Sequence, residues 1–144
     1  MGLPWWREYV AARGRMEAGL RRNHPEVEIS KYSQMLIYDL EIEVPCYETR
    51  RLRIVFEAGY LPAAVKVFSD GPGESPHRYE DGSLCMWHPH DPPEQKWVPT
   101  DRLVSLIEMA RTHLFREAYW RESGDWLGPE APHGEEEKSG QRGA

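Results

Sequence analysis

A chain of 144 residues has the length of one ordinary domain, enough to bury roughly two thirds of the surface its unfolded form would expose. With 40% apolar, 11% aromatic and 29% charged residues it has a globular composition, and disorder throughout is excluded. A formal charge of −6 and a pI near 5.5 argue against a nucleic-acid partner, which would need a concentrated basic face. No apolar run approaches the roughly 18 residues of a membrane span, and MGLPWW lacks the basic-then-apolar start of a signal peptide, so a cytoplasmic protein without a membrane partner is expected.

In chain order, Trp5, Tyr9, Ala12, Met16 and Leu20 recur at helical spacing and predict one amphipathic helix from Pro4 to Arg22. Its other faces carry Arg7, Arg13, Arg15, Arg21 and Arg22 against Glu8 and Glu17, a basic surface on an acidic protein, either solvated or docked on an acidic partner. Period-two alternation follows. A short strand is expected around Val27 to Ser30. A longer one lies in QMLIYDLEIEV, with Leu36, Tyr38, Leu40, Ile42 and Val44 on one face and Asp39, Glu41 and Glu43 on the other. RRLRIVF turns Leu52, Ile54 and Phe56 inward, and AAVKVFS does the same with Val65 and Val67, after a connection over Glu57 to Pro62. Short connections make these four strands an antiparallel meander.

From Asp70 to Pro99 periodicity stops, and so long an irregular segment inside a domain is either functional or disordered. His77, Tyr79, Leu84, Cys85, Met86, Trp87 and Trp97 are not the content of a solvated linker, which makes it an ordered functional loop. A second helix follows, capped by Thr100 or Asp101, buried through Leu103, Leu106, Ile107, Ala110 and Leu114, and running to about Tyr119. SGDWLG is read as a turn with Trp126 and Leu127 packing back. The organisation is one domain over 1–127 and a disordered tail over 128–144, which has no large apolar residue.

Cys46 and Cys85 are expected as free thiols in a reducing compartment. A lone cysteine is ordinarily a small buried hydrophobe, but Cys85 follows a Gly-Ser turn in an irregular loop, with His77 or Arg78 available as the polar neighbour that a reactive, partly exposed thiol needs. A cysteine protease would also need a group orienting the base, and nothing in the sequence marks one. Zinc could draw on His77, Cys85, His88 and His90, but C-x-x-H and H-x-H fit no common structural spacing. Neither a phosphate-binding G-x-x-x-x-G-K-[ST] nor a G-x-G-x-x-G is present, so an ATP-driven step belongs to another protein, and no metal or cofactor is expected.

D-G-S-L-C at Asp81 to Cys85 resembles the N-G-S-I-C active-site segment of ubiquitin-conjugating (E2) enzymes, and W-V-P-T-D-R-L at Trp97 to Leu103 resembles their W-[ST]-P-x-x-x-[IL] helix entry. PHRYEDGSLCMW is closer still to the H-x-Y-x-D-G-x-L-C-L form of the bacterial E2-like proteins of CBASS antiphage operons. The resemblance covers roughly residues 4 to 127 and implies an α+β, ubiquitin-conjugating-enzyme-like fold: an N-terminal helix, a four-stranded antiparallel meander, a long active-site loop and C-terminal helix. The asparagine of the eukaryotic H-P-N has no counterpart; His77 stands eight residues before Cys85, and the stretch to Trp97 is lengthened by HPHDPPEQ.

The resemblance implies that Cys85 carries an acyl group as a thioester, accepted from an E1-like activating enzyme or a substitute. The acyl group would be the C-terminus of a ubiquitin-like protein or of the operon's nucleotidyltransferase. His77 would support the loop or the developing oxyanion, with a general-base role as a lesser alternative. Tyr79, Trp87 and Trp97 are candidate contacts, with Trp87 and Trp97 read first as loop anchors, since an irregular loop must bury something to stay ordered. Asp81 shapes the turn, and Asp91 and Glu94 either orient an attacking amine or are solvated. Arg7 and Arg13 lie on the helix that E2 proteins offer to E1 enzymes. The rival readings are a non-catalytic docking module with an inert Cys85, and a thiol hydrolase.

Overall fold

A computed structural model of the chain describes residues 4–58, 65–87, 97 and 102–128. The alternating apolar residues become a meander of β1 (Glu28–Lys31), β2 (Met35–Ile42), β3 (Arg50–Glu57) and β4 (Val65–Ser69), antiparallel and in the order β1-β2-β3-β4. Its register sets Leu36 opposite Phe56, Tyr38 opposite Ile54 and Leu40 opposite Leu52, all buried on one face. Each such side chain contributes about 1.5–3 kcal/mol on burial, so a one-residue slip would be prohibitive. The other face carries charge in matched pairs: Asp39 meets Arg53 at 2.8 Å and Glu41 meets Arg51 at 3.2 Å. Next to Asp39 and Arg53 on this face, Ile37 and Val55, also register partners, are buried as well. Residues 59–64, most of the expected β3–β4 connection, lie outside the described residues.

The single N-terminal helix expected from spacing is two. α1 (Trp5–Glu8) and α2 (Val10–Asn23) are separated at Tyr9, whose φ of −113° and ψ of 63° leave the helical region. Neighbouring residues on one helix point about 100° apart, so an unbroken helix cannot sink both Trp5 and Trp6 along with Met16 and Leu20. The break resolves this: Trp6 is fully buried and Trp5 sets its ring edge-on to Phe56 at 5.2 Å. The predicted stripe is corrected accordingly. Met16 and Leu20 are buried, whereas Tyr9 is 58% exposed and Ala12 is on the surface. Beneath α2, Glu17 accepts a 2.7 Å hydrogen bond from buried Tyr38 and faces Arg13 at 3.4 Å.

α3 (Leu103–Ser123) buries the predicted Leu103, Leu106, Ile107, Ala110 and Leu114 in the same core as α2 and the inner face of the sheet. Its N-cap is Arg102, later than expected; Thr100 and Asp101 lie outside the described residues. The Arg102 carbonyl accepts the indole N–H of buried Trp97 at 2.9 Å, and the Trp97 ring leans on Phe56. The helix passes Tyr119 and ends where Gly124 adopts a left-handed φ of 84° and donates its N–H to Trp120 O, a conformation that costs glycine little. Helical segments on one face of a four-stranded antiparallel sheet, in this order, make the fold α+β and ubiquitin-conjugating-enzyme-like. Apart from Gly128, the expected tail lies outside the described residues.

Candidate functional site

The segment before Cys85 is a small hairpin. Tyr79 to Gly82 close a turn by Gly82 N–H to Tyr79 O, with Gly82 at a φ of 90° that suits glycine. Asp81 accepts from both the N–H and the hydroxyl of Ser83, at 2.9 and 2.6 Å, and meets Lys66 at 2.9 Å. The bonds from Ser83, its hydroxyl first, hold the Asp81 carboxyl down to about 2, with Lys66 adding to them against partial burial. Asp81 therefore shapes the turn as expected.

Behind the turn Arg78 bridges to Leu84, Tyr79 N–H donates to Ser83 O and Cys85 N–H donates to His77 O at 3.1 Å. His77 and Cys85 are thus cross-strand partners, and directly opposed residues project from the same face of an antiparallel pair. Leu84 N–H donates to Val67 O at 2.9 Å, which docks the hairpin on β4 at the edge of the sheet.

His77 is buried, its ring 4.4 Å from that of Trp126, which packs back as expected while Leu127 is 39% exposed. Its carbonyl has a second partner: His113 Nε2 on α3 lies 3.0 Å away, and 3.2 Å from Glu117 Oε2. Both neighbours are acceptors, so Nε2 must carry the hydrogen. Glu117, fully buried, also receives both prongs of Arg78, Nε at 2.6 Å and Nη2 at 2.7 Å, while Arg78 Nη1 donates to Gly82 O at 3.1 Å. Arg121 stands 3.9 Å from the same carboxylate. Burial pushes the Glu117 carboxyl up, but hydrogen bonds from His113 and Arg78 and their charges outweigh it and hold the group at about 2.

Cys85 itself is 2% exposed, less open than a reactive thiol was expected to be. It lies on the covered side of the hairpin, Sγ 4.0 Å from Trp87 O, and that carbonyl also accepts the Tyr79 hydroxyl at 2.7 Å. Beside the next residue, Met86, opens a groove of about 310 Å³, lined also by Glu108, Met109, Thr112, His113 and Arg116.

The structure brings Cys85, His77, Tyr79 and Trp87 together. Trp97 is a core residue under the start of α3. Arg7 is exposed on α1, whereas Arg13 turns back to Glu17 and to Trp6 O at 3.3 Å. His88, His90, Asp91 and Glu94 lie outside the described residues. His113, Glu117 and Arg121 escaped the sequence reading, although His113 and Glu117 fall on the helix face that buries Ala110 and Leu114, and a charged residue on an apolar stripe is itself a signal.

An α+β sheet-and-helix layout with a cysteine hairpin docked between the last strand and the following helix is that of an E2-like protein. The type II CBASS E2 protein family model matches residues 16–134, and the chain belongs to that family, whose members are E2 proteins of CBASS antiphage defence. No curated protein and no solved structure gives a significant match. No helix among the described residues is long and apolar enough to cross a membrane.

Proposed function

We propose that the protein is an acyl carrier working through a thioester on Cys85. The supporting observation is that the backbone of this cysteine is fixed from two directions, by the His77 carbonyl and, through Leu84, by β4, which is what a transfer needing a positioned thiol rather than a large catalytic apparatus asks for. The Cys85 thiolate attacks the activated carbonyl of a donor thioester; a C–S bond to Cys85 forms, the donor's C–S bond breaks, and the donor thiolate leaves to take up a proton. An acceptor nucleophile then attacks the Cys85 thioester and releases the thiol. The donor is a separate E1-like enzyme or its substitute, because the sequence has no ATP-binding motif. The acyl group is the C-terminus of a ubiquitin-like protein or of the operon's nucleotidyltransferase.

In this reading His77 supports the loop, its carbonyl holding Cys85 and its ring resting on Trp126. Tyr79 and Trp87 cover the thiol and move aside when a donor arrives; Trp97 anchors the loop's return to α3; Arg7, with Arg13 behind it, belongs to the face presented to the activating enzyme. The burial of Cys85 favours a second reading, a docking module of the same fold with an inert thiol. Co-expression with the genomic neighbours separates the two on gels run with and without reductant. The carrier gives a larger adduct that reductant removes, that resists reductant in Cys85→Ser and that is absent in Cys85→Ala. Co-purification of the neighbours with all three forms and no adduct in any lane would favour the docking module.

A further inference from the structure

We infer that Glu117, acting through His113, is a positioning residue for the Cys85 reaction; this rests on the carrier reading. A carboxylate in the middle of an apolar helix face is a poor way to gain stability, since a well-packed hydrophobic residue usually serves as well or better. What a charge supplies that a leucine cannot is direction. Glu117 accepts from His113 and from both prongs of Arg78, and these two partners each hold a different point of the hairpin. Arg78 fixes the turn through the Gly82 carbonyl. His113 fixes the His77 carbonyl, the same oxygen that accepts Cys85 N–H.

A continuous path of hydrogen bonds therefore runs from Glu117 through His113 Nε2 and His77 O to the backbone of Cys85. His113 also lines the groove that opens beside Met86, the residue after Cys85, so the brace and the groove share a side chain. A thiol that must meet an acyl carbon at bonding distance is sensitive to such placement: a misplacement of about 1 Å costs up to ~100-fold in rate. Glu117 touches no reacting atom and donates no proton; ionised, it keeps His113 and Arg78 aimed.

The test uses the full chain and a glycine-ended peptide α-thioester of mercaptoethanesulfonate as acyl donor, with mass spectrometry following acylation at Cys85 against exposed Cys46. His113→Phe and Glu117→Gln should lower the maximal acylation rate about 10- to 100-fold while leaving the half-saturating donor concentration unchanged. His113→Gln, which keeps a donor near the same place, should stay within about threefold of wild type, under half a decade in a scale where 1.4 kcal/mol is tenfold. Because Glu117→Gln strands Arg78 and can fail to fold, the His113 pair decides on its own. Equal maximal rates in wild type and folded His113→Phe, or a His113→Gln as slow as His113→Phe, would overturn the inference with the carrier reading intact. Acylation of wild-type Cys85 no faster than of Cys46 would overturn both.

Discussion

The meander and the Cys85 hairpin are both antiparallel, and they are held by opposite kinds of force. In the meander, Leu36, Tyr38, Leu40, Leu52, Ile54 and Phe56 are buried on one face, and the other face carries two ion pairs beside the buried apolar pair Ile37 and Val55. In the hairpin, Leu84 is the chief apolar anchor, and the rest of the grip is polar: a half-buried guanidinium and a buried imidazole, tied together by one buried carboxylate, each hold a backbone carbonyl. Apolar burial is forgiving of small shifts because it is non-directional. A buried polar network has one satisfied arrangement and is costly in any other. The scaffold is therefore built to persist and the hairpin to stay in place.

The largest effects should come from breaking each region at its centre. Phe56→Ala removes the ring on which Trp5, Tyr38 and Trp97 all lean and should cost about 3–5 kcal/mol in urea unfolding. Glu117→Gln should cost a similar ~3–5 kcal/mol, because it leaves the half-buried Arg78 without its counter-charge. The comparison sharpens when activity is read beside stability: at equal folded fraction, Phe56→Ala should carry an acyl group at the wild-type rate and Glu117→Gln should not.

Acid should separate the two regions next. Glu117 titrates near 2 in the folded protein against an ordinary value of 4.5, so its stabilisation is complete above the ordinary value and is lost as pH falls from there towards 2. The loss amounts to about 3 kcal/mol. Urea midpoints across that window should fall more steeply for wild type than for Glu117→Gln, and parallel curves would show that the carboxylate is not held as described. Asp81 adds to the same window in both proteins, more weakly because it is exposed.

Two smaller effects complete the series. Tyr79→Phe removes the bond to Trp87 O and should lower stability by about 0.5–1 kcal/mol, while iodoacetamide reacts faster at Cys85; an unchanged alkylation rate would mean that this strap is not what covers the thiol. Arg53→Ala breaks an exposed pair on the outer face of the meander and should change stability by less than about 1 kcal/mol.

The same contrast governs how much was legible in the sequence. Strand faces were readable because a period of two at Leu36, Tyr38, Leu40 and Ile42 has one structural solution, and the α3 stripe from Leu103 to Leu114 was equally plain. The break at Tyr9 was not, since neither glycine nor proline marks it; it follows from the competition of two adjacent tryptophans for one core. The turn at Asp81 and Gly82 was local chemistry and could be read. The clamp on His77 was not, because it joins residues 36 and 39 positions apart, and pairing across such distances leaves no local pattern. The burial of Cys85 likewise depends on how the hairpin docks, which spacing does not encode.

The most direct measurement is site-resolved mass spectrometry of the adduct formed on co-expression with the operon partners. The account predicts one acyl group, a C-terminal carboxyl joined to Cys85 as a hydroxylamine-labile thioester, with Cys46 unmodified. An acyl group on Cys46 or on a lysine, with Cys85 free in the same molecule, would contradict it.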